Sequence, residues 1–199
     1  MGRPRLHDER TRHALLEAAE RLLSEAGIDA VGVRSVADAA GTSTRAVYAV
    51  FGSKEEMVQA LATRAYELLI EQVAAVPLTT DAGADLISGS VQGFRQFALD
   101  HPDLFKVFFT ATQRPMLDPA ANATRLASFD TLIRRMERAR SAGLLGSHTL
   151  GEGVLLWDVM CSGLAMREAC GQIPHGGGER IWIDALTALL IGLGSHDPQ

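Results

Sequence analysis

The polar side chains between residues 34 and 54 are of the types that proteins use to bind DNA. They supply three positive charges and several hydroxyl groups, and they are Arg34, Thr42, Ser43, Thr44, Arg45, Tyr48 and Lys54. An Arg guanidinium can form a forked pair of hydrogen bonds with guanine, whereas Ser, Thr and Tyr hydroxyls more often bind phosphates. These seven residues are the candidates for DNA binding in this chain.

The elements around these side chains form a predicted helix-turn-helix, a motif that lays its second helix in the major groove of DNA. Helix 2 is expected from about Val33 to Ala40, and Gly41 then permits the turn. Ser43 is expected to cap helix 3, which runs from about Thr44 to Val50 and ends before Gly52.

Helix 1 precedes this motif and is predicted from about Glu9 to Ala26, with Asp8 as its N-cap and Gly27 just past its end. Its Leu and Ala residues recur at helical spacing, which indicates one apolar stripe that packs inward. Residues 1–8 form an N-terminal arm in the prediction and carry an Arg on each side of Pro4. Two interpretations of this arm stay open, a segment that follows a DNA groove and a frayed terminus.

Six more helices are predicted after the motif, and no segment alternates with the period of a strand, so the expected fold class is all-α. Capping boxes at Ser53–Glu56 and Thr149–Glu152 indicate the starts of helix 4 and helix 8. Helix 4 ends near Ala75, and helices 5 to 9 span about Ala84–Leu99, Pro102–Ala111, Ala120–Ala142, Leu150–Ala169 and Glu179–Leu193. We predict a helix-turn-helix head over 1–54 and a helical body over 55–199.

The body contains aromatic and polar side chains that could line a pocket for a small molecule, because pockets in helical bundles are mostly apolar with a few polar groups. Core packing is the favoured role for any one aromatic residue alone. A buried charge needs a partner, so an internal ion pair or an exposed position is the favoured alternative for the polar ones. The candidate effector-binding residues are Arg95, Phe97, Phe105, Phe108, Phe109, Phe129, Trp157, Asp158 and Cys161.

The distribution of side chains on two of the later helices predicts which of their sides are exposed and which are buried. Helix 7 carries four arginines that we expect mostly on its outside, namely Arg134, Arg135, Arg138 and Arg140. Helix 9 is apolar on nearly every side, and such a helix must be buried on every side. A last helix cannot easily be buried in this way within its own subunit, so we expect another subunit to cover it.

The charge distribution is compatible with a nucleic-acid partner, although the net charge of −5 at first argues against one. Residues 1–52 carry seven basic and seven acidic groups, whereas residues 53–199 carry twelve basic and seventeen acidic groups. DNA meets only a local face of a protein, so a neutral head whose Arg residues cluster can bind it. A basic head would be a stronger indication.

Other kinds of site have little support in the sequence. The run His175–Gly178 matches the oxyanion-hole run of some esterases, but the G-x-S-x-G pentapeptide that would hold a nucleophile is missing. The six His residues are scattered without ligand spacing, so no metal and no cofactor are predicted. Cys161 and Cys170 lie near opposite faces of one helix and fit a reducing cytoplasm. No signal region or long apolar run is present, so we expect a soluble cytoplasmic protein without a membrane partner.

Residues 9–60 resemble the TetR family of transcriptional repressors. The segment ALLEAAERLLSEAG is similar to that family's first helix. The segment VRSVADAAGTSTRAVYAVFGSKEEMVQAL follows the family pattern of a helix, an Ala-Gly turn and a second helix with Tyr three residues before Phe. It continues with a Ser-Lys-Glu-Glu-type start of helix 4, and the nine-helix layout of the remaining chain also agrees with the family.

The resemblance implies a homodimer whose two heads read the half-sites of a near-palindromic operator, and a body that binds a small molecule and dimerises. Helices 8 and 9 of both subunits would form a four-helix interface. The interface candidates are Leu155, Ile181, Trp182, Leu186, Leu189 and Leu190.

Individual positions of the motif also match the family. Tyr48 and Lys54 match phosphate-contacting positions, and residues 43–45 match positions that touch bases or phosphates. The chain departs from the family at Gly32, where Ser or Thr is frequent, and at residues 49–50, where His or Arg is frequent, so the operator sequence is not predicted. Structural roles also stay open: Tyr48 could cover the small core, and Lys54 could be merely solvated.

The leading hypothesis is a one-component regulator, a repressor that binds a palindromic operator as a dimer and is released by a small, largely apolar effector. Such an effector must prefer the non-binding arrangement of the heads, because equal affinity for both arrangements would shift nothing. Two alternatives stay open. One is an all-α enzyme that uses a pocket of the body, and the other is a ligand-independent DNA-binding protein.

Overall fold

The computed structural model describes residues 5–112, 119–174 and 176–195, and over these residues the chain forms helices joined by turns and short loops. We number nine helical elements in chain order. The first four are α1 Arg5–Ala26, α2 Val33–Ala39, α3 Thr44–Phe51 and α4 Lys54–Ala75. The others are α5 over residues 82–100, α6 Pro102–Thr112, α7 Pro119–Ser141, α8 Leu150–Ala169 and α9 Gly178–Gly194. The described residues contain no strand, and the predicted all-α class is confirmed.

Helix α5 changes its hydrogen-bonding pattern along its length. Ala82–Ser88 is α-helical, Gly89–Arg95 is a π-helix, and Gln96–Asp100 is α-helical again. The sequence analysis predicted one ordinary helix here, because the apolar spacing of so short a stretch does not distinguish the two patterns. A π segment is rare and often lies where a helix serves a particular purpose.

The start of the first helix differs from the prediction. Helix α1 begins at Arg5, so Asp8 lies inside the helix and is not its N-cap. Nothing in the sequence between Arg5 and Asp8 breaks a helix, and Pro4 is of a type tolerated only near a helix start. Residues 1–4, which are half of the predicted arm, lie outside the described residues.

The described residues fall into two compact units. The first combines Met1–Tyr66 with Asp103–Ala123, and we call it the head unit. The second combines Glu67–Pro102 with Thr124–Gln199, and we call it the body unit. The predicted domain division after residue 54 stays a prediction.

The core of the motif is built from three helices of the head unit. Its buried apolar side chains come from α1, α2 and α3 and include Leu15, Ala19, Leu23, Val36, Ala37, Val47 and Phe51. Burial of such side chains stabilises a fold by about 25 cal/mol for each Å² removed from water. This small core holds α3 in place and leaves the opposite side of that helix exposed.

The body unit has its own core, centred on two tryptophans and several aliphatic and aromatic side chains. Its fully buried members include Leu86, Phe97, Met136, Leu145, Trp157, Trp182 and Leu186. The capping box that predicted the start of α8 is confirmed, because the Thr149 N–H donates to Glu152 Oε2 at 2.8 Å and the Glu152 N–H donates to Thr149 Oγ1 at 3.2 Å.

Candidate functional site

The turn between α2 and α3 follows from one glycine and one hydroxyl. Gly41 has a φ of +64°, which an L side chain rarely adopts, and it reverses the chain after α2. Ser43 Oγ then accepts a hydrogen bond from the Ala46 N–H at 3.2 Å and caps α3, as predicted. The Gly52 N–H donates to the Tyr48 carbonyl at 2.9 Å, and its φ of +78° ends the helix.

The start of α2 is fixed without a side chain at position 32. The Gly32 N–H donates to Ser35 Oγ at 3.0 Å, and the same hydroxyl donates to the Ala30 carbonyl at 2.6 Å. Ser35 thus provides the local cap. The departure of this chain from the family at Gly32 therefore leaves the geometry of the motif intact.

All seven predicted DNA-binding residues lie on the surface of the head unit. All seven are exposed, namely Arg34, Thr42, Ser43, Thr44, Arg45, Tyr48 and Lys54. Within the described residues, Ser43 is the only one of the seven whose side chain forms a hydrogen bond or an ion pair. Polar groups presented in this way on one short motif are available to a ligand, and their contact with DNA stays a prediction.

Tyr48 does not cover the small core of the head unit. Its side chain is 54% exposed, whereas Val47 and Phe51 on the other side of α3 are buried. A largely exposed Tyr ring is unusual for a residue that often packs inside. The alternative structural role of Tyr48 is therefore not supported.

The motif carries a local excess of positive charge. Residues 33–54 contain three basic groups and one acidic group, Asp38, although the whole chain is negative. Two other arginines of the head unit have intramolecular partners. Arg12 lies over the Phe51 ring at 5.2 Å, and Arg21 reaches the Ala39 carbonyl at 3.4 Å. Three cations of the described head unit that have no intramolecular partner thus lie on the motif, where phosphates would bind.

The predicted effector-binding residues on α6 pack among themselves within the head unit. The rings of Phe105 and Phe108 have centroids 5.9 Å apart, and Phe109 lies 6.3 Å from Phe105. Tyr66 of α4 meets the Phe108 ring edge-on at 5.1 Å. These contacts link α6 to α4 inside one unit, and a ligand-binding role for the three phenylalanines stays a prediction.

Arg95 forms an internal ion pair in the body unit. Its Nη2 and Nε donate to the two oxygens of Glu168 at 2.8 and 2.9 Å, and both side chains are 13% exposed. Trp182 Nε1 also donates to Glu168, at 3.0 Å. Arg95 is therefore paired within the body unit, which is the alternative that the sequence favoured.

The other candidates in the body unit differ in how well they are paired. Trp157 Nε1 donates to Ser90 Oγ at 2.8 Å, and burial raises the pKa of the Cys161 thiol to about 12, so it stays protonated. Phe97 is buried and Phe129 is half-buried. Burial raises the pKa of Asp158, whose carboxylate has no hydrogen bond or ion pair within the described residues. Asp158 is thus the predicted polar residue that stays available to a ligand.

The predicted interface residues are only partly on the surface. Leu155 and Ile181 are exposed, and Leu189 and Leu190 are half-buried. Trp182 and Leu186 are fully buried within the body unit, so this part of the prediction is corrected: their side chains are covered by their own subunit. On α8 and α9, the large exposed apolar residues that the sequence analysis did not single out are Leu156, Val159, Ile183 and Ile191.

The sequence analysis also missed a buried arginine on α7. Arg134 and Arg140 are exposed as expected, but Arg135 is only 6% exposed, which corrects the prediction that it lies outside. Burial lowers the pKa of its guanidinium, and the charge of Asp85 opposes that effect. Arg135 lies four residues before buried Ala139 and seven after buried Ser128, a spacing that could have indicated its position.

Two long segments of the chain match sequence profiles of the same kind of protein. Residues 15–61 match the bacterial regulatory proteins of the tetR family. Residues 87–190, which are 104 of the 199 residues, match the tetracyclin repressor-like C-terminal domain. The chain belongs to the TetR family. The resemblance recognised in the sequence is confirmed, and the match includes both the motif and most of the later helices.

Individual TetR-family relatives are similar at different levels. The chain is 33% identical over 75 residues to the HTH-type nicotine-responsive transcriptional repressor HdnoR of Paenarthrobacter nicotinovorans, a match that spans 38% of this chain and 37% of that relative. A protein of unknown function from Rhodococcus sp. RHA1 superposes with a TM-score of 0.81 at 23% identity, covering 93% of this chain and 96% of that one. The TetR-family regulator PfmR from Thermus thermophilus gives a TM-score of 0.63 at 21% identity, with coverages of 92% and 99%. At these identities the two structures establish the fold alone.

Membership of the TetR family makes this chain a DNA-binding transcriptional regulator and not an enzyme. The esterase-like run begins at His175, which lies outside the described residues. Within the described ranges, no three His, Cys, Asp or Glu side chains come together as a metal site would require. No helix in the same ranges is both long and apolar enough to cross a bilayer.

Proposed function

We propose that this regulator is a cytoplasmic repressor that binds a near-palindromic operator as a homodimer and leaves it when a small, largely apolar effector binds. The observation that carries the proposal is the cluster of exposed polar groups on α2, α3 and the start of α4. Three cations of this cluster have no partner within the described chain, and phosphates are the partners that such cations bind best.

The seven predicted residues divide by position into readers of bases and holders of phosphates. Arg45 lies near the N-terminus of α3, the end of a recognition helix that meets base edges. Exposed Ala49 on the same helix could contact a thymine methyl group. Tyr48 and Lys54 are assigned to phosphates, where they fix the register of the head without reading sequence.

A homodimer is supported by the apolar side chains that α8 and α9 leave exposed. Leu155 and Val159, one turn apart on α8, are each 61% exposed, and Ile191 of α9 is 64% exposed. A two-fold dimer uses the same patch on both subunits, and it matches the symmetry of a palindromic operator. Burying these side chains against a second copy would remove an apolar surface that otherwise faces water.

The effector is proposed to be a small molecule with an apolar body and one polar group. The relative HdnoR is described as nicotine-responsive, which supports small-molecule control in this chain. Asp158 has a half-buried carboxylate with no partner within the described residues, so a ligand with a hydrogen-bond donor or a positive charge would fit beside it. A ligand-independent regulator is the competing outcome.

The proposal is tested by selecting DNA from a random pool with the full-length protein and measuring binding to the selected sequence. We expect an inverted repeat bound by two protomers, as counted by mass photometry, with weak binding to a scrambled duplex of the same length. Enrichment of no common sequence would contradict operator binding, and one protomer per site would contradict the homodimer.

A second experiment tests the effector. A library of small aromatic and aliphatic amines is screened for release of the labelled operator, with Asp158→Asn as a matched variant. We expect at least one compound to release the wild-type protein at concentrations that leave Asp158→Asn bound. If no compound of any class releases the DNA, the ligand-independent alternative is favoured.

A further inference from the structure

The buried arginine of α7 is bonded mainly to backbone. Arg135 Nη1 donates to the Asp85 carbonyl at 2.8 Å. Its Nη2 donates to the carbonyls of Val73 and Val76 at 3.0 and 2.7 Å. One guanidinium therefore joins α5 to the end of α4 from a position on a third helix, and all of these residues belong to the body unit.

The two carbonyls that Arg135 Nη2 reaches lie at the end of α4, where the backbone supplies only one long hydrogen bond, from the Val76 N–H to the Val73 carbonyl at 3.3 Å. Helix α4 ends at Ala75, and the last four carbonyls of a helix have no intrahelical donor. Val73 is among those four, and Val76 follows the helix directly. Arg135 therefore acts as a C-cap supplied by another helix, with a charged donor at the negative end of the helix dipole.

Two glycines in the π segment of α5 allow it to lie close to Arg135 and to the last turn of α4. A Cβ atom added at Gly89 would lie 2.7 Å from Arg135 Nε, and one added at Gly93 would lie 2.8 Å from Val73 Cγ2 and 2.9 Å from its Cα. Both approaches are closer than packed atoms allow. The two glycines are therefore required for α5 to lie against Arg135 and against the last turn of α4.

A second arginine fixes the chain that leaves α4. Arg138 is bonded to the carboxylate of Asp85 and to the Thr79 carbonyl. The Thr79 N–H donates to both Asp85 oxygens at 2.8 and 2.9 Å, and the Thr79 hydroxyl donates to the same carboxylate at 2.8 Å. The end of α4 and the following loop are thus both tied to α7.

We propose that Arg135 is a positioning residue for DNA binding, which holds the C-terminal end of α4 at one place against α5 and α7. This inference rests on the proposed dimer. Helix α4 begins at Lys54, a residue of the head unit, and ends at Ala75, a residue of the body unit. Arg135 thereby sets the spacing at which the two heads of a dimer engage their half-sites. The planar fork of Arg is needed, because the compact ammonium of Lys cannot reach three carbonyls at once.

The test is the spacer length between half-sites, selected from one random DNA pool by full-length variants. Arg135→Lys removes the fork and keeps the charge, and Gly93→Ala disturbs the same turn of α4 without touching Arg135. Arg134→Lys and Gln92→Ala change exposed neighbours and are the matched controls. Hydrogen exchange of all variants is measured in parallel, with peptides from the end of α4 and from α9.

We expect the wild type and both controls to select one dominant spacer length. Arg135→Lys and Gly93→Ala should select the same half-site sequence with several spacer lengths, because the heads stay intact and their separation is no longer fixed. Exchange at residues 70–78 should rise about tenfold in Arg135→Lys, with α9 unchanged, since the opening is local.

Three outcomes would overturn the inference, and they are distinguishable. If the wild type selects no operator, the proposed function itself fails. If the wild type selects an operator and Arg135→Lys keeps the same single spacer length, only the positioning role fails. If several spacer lengths are selected but exchange rises equally across the body unit, Arg135 supports the whole unit and has no specific role at the end of α4.

Discussion

The arginines of the helix-turn-helix motif and three arginines of the body unit are used in opposite ways. Arg34 and Arg45 are exposed on the DNA-binding motif and have no partner within the described residues. Arg95, Arg135 and Arg138 of the body unit are bonded to carboxylates and backbone carbonyls. The same side chain therefore serves binding in one unit and architecture in the other.

The physical reason for the difference is solvation. A surface cation is solvated by water and can be left unpaired at little cost until a phosphate replaces that water. A buried cation loses its water and is tolerated only when nearly all of its donors are paired. Removing an exposed arginine of the motif should thus weaken DNA binding, whereas removing a buried arginine of the body unit should weaken the fold.

The largest effect is expected for Arg135→Met, which removes the charged donor of three carbonyls and leaves Asp85 with one less cation nearby. We expect the free energy of unfolding to fall by about 3 kcal/mol, since breaking a buried charged network is among the most destabilising changes. Urea denaturation followed by circular dichroism measures this. Arg134→Met on the same helix should stay within about 0.5 kcal/mol of the wild type. Similar losses for the two variants would contradict the contrast between buried and exposed arginines.

The next effect concerns base reading by the head. Arg45→Ala should weaken operator binding by about 2 kcal/mol, or roughly 30-fold, and relax the sequence preference at one position of each half-site. Its free energy of unfolding should not change, because the side chain has no internal partner. Fluorescence anisotropy gives the affinity, and Arg140→Ala of the body is the control, with no expected change. A loss of stability without a loss of affinity would reverse the assignment.

A smaller effect is expected for Lys54→Gln, which removes one phosphate contact. The slope of log affinity against log salt concentration should become less steep by about one unit, with little change in sequence preference. The chain has one other lysine, Lys106, which pairs with Asp103 at 3.0 Å on α6. Lys106→Gln should leave the salt slope unchanged, and an equal change in both variants would argue against a specific role for Lys54.

The smallest effect is expected for the stability of the body unit in acid. Burial by itself raises the pKa of Asp85, but hydrogen bonds from Arg138 and Thr79 outweigh it and hold the pKa below its usual value of 3.8. A lowered pKa stabilises the fold at pH values above 3.8, and this contribution is lost as the pH falls through the lowered value. Unfolding measured between neutral pH and pH values below 3.8 should show this loss in the wild type. Asp85→Asn is less stable at neutral pH and should lack that additional loss, and parallel curves would contradict the assignment.

The head could be predicted from sequence because its signals are local. Gly41, Ser43 and Gly52 determine the turn, the cap and the end of α3 through neighbours within a few residues. The four-residue spacing of Val47 and Phe51 identifies the side of α3 that packs inward, and the opposite side of the helix is therefore the exposed one. These local signals position all seven predicted DNA-binding residues on the surface.

The body could be predicted only as a set of helices, because its remaining features depend on contacts between distant residues. Arg135 is buried because carbonyls about 50 to 60 positions away in the chain accept its hydrogen bonds, and helix periodicity alone does not reveal that pairing. The π segment of α5 likewise depends on what its glycines pack against. Trp182 is buried within its own subunit, where Glu168 accepts its N–H, and the apolar pattern of α9 alone does not reveal this.

The claim that unpaired exposed groups of the head are reserved for DNA is tested most directly at Tyr48. The measurement is the dissociation constant of Tyr48→Ala for the selected operator at fixed salt, beside Ile28→Ala, which alters another exposed apolar side chain of the head unit. We predict that Tyr48→Ala binds the operator at least about tenfold more weakly, because the contact of Tyr48 with a DNA phosphate is lost. Its free energy of unfolding should be unchanged. Ile28→Ala should bind as the wild type does. Wild-type affinity in Tyr48→Ala would contradict the account.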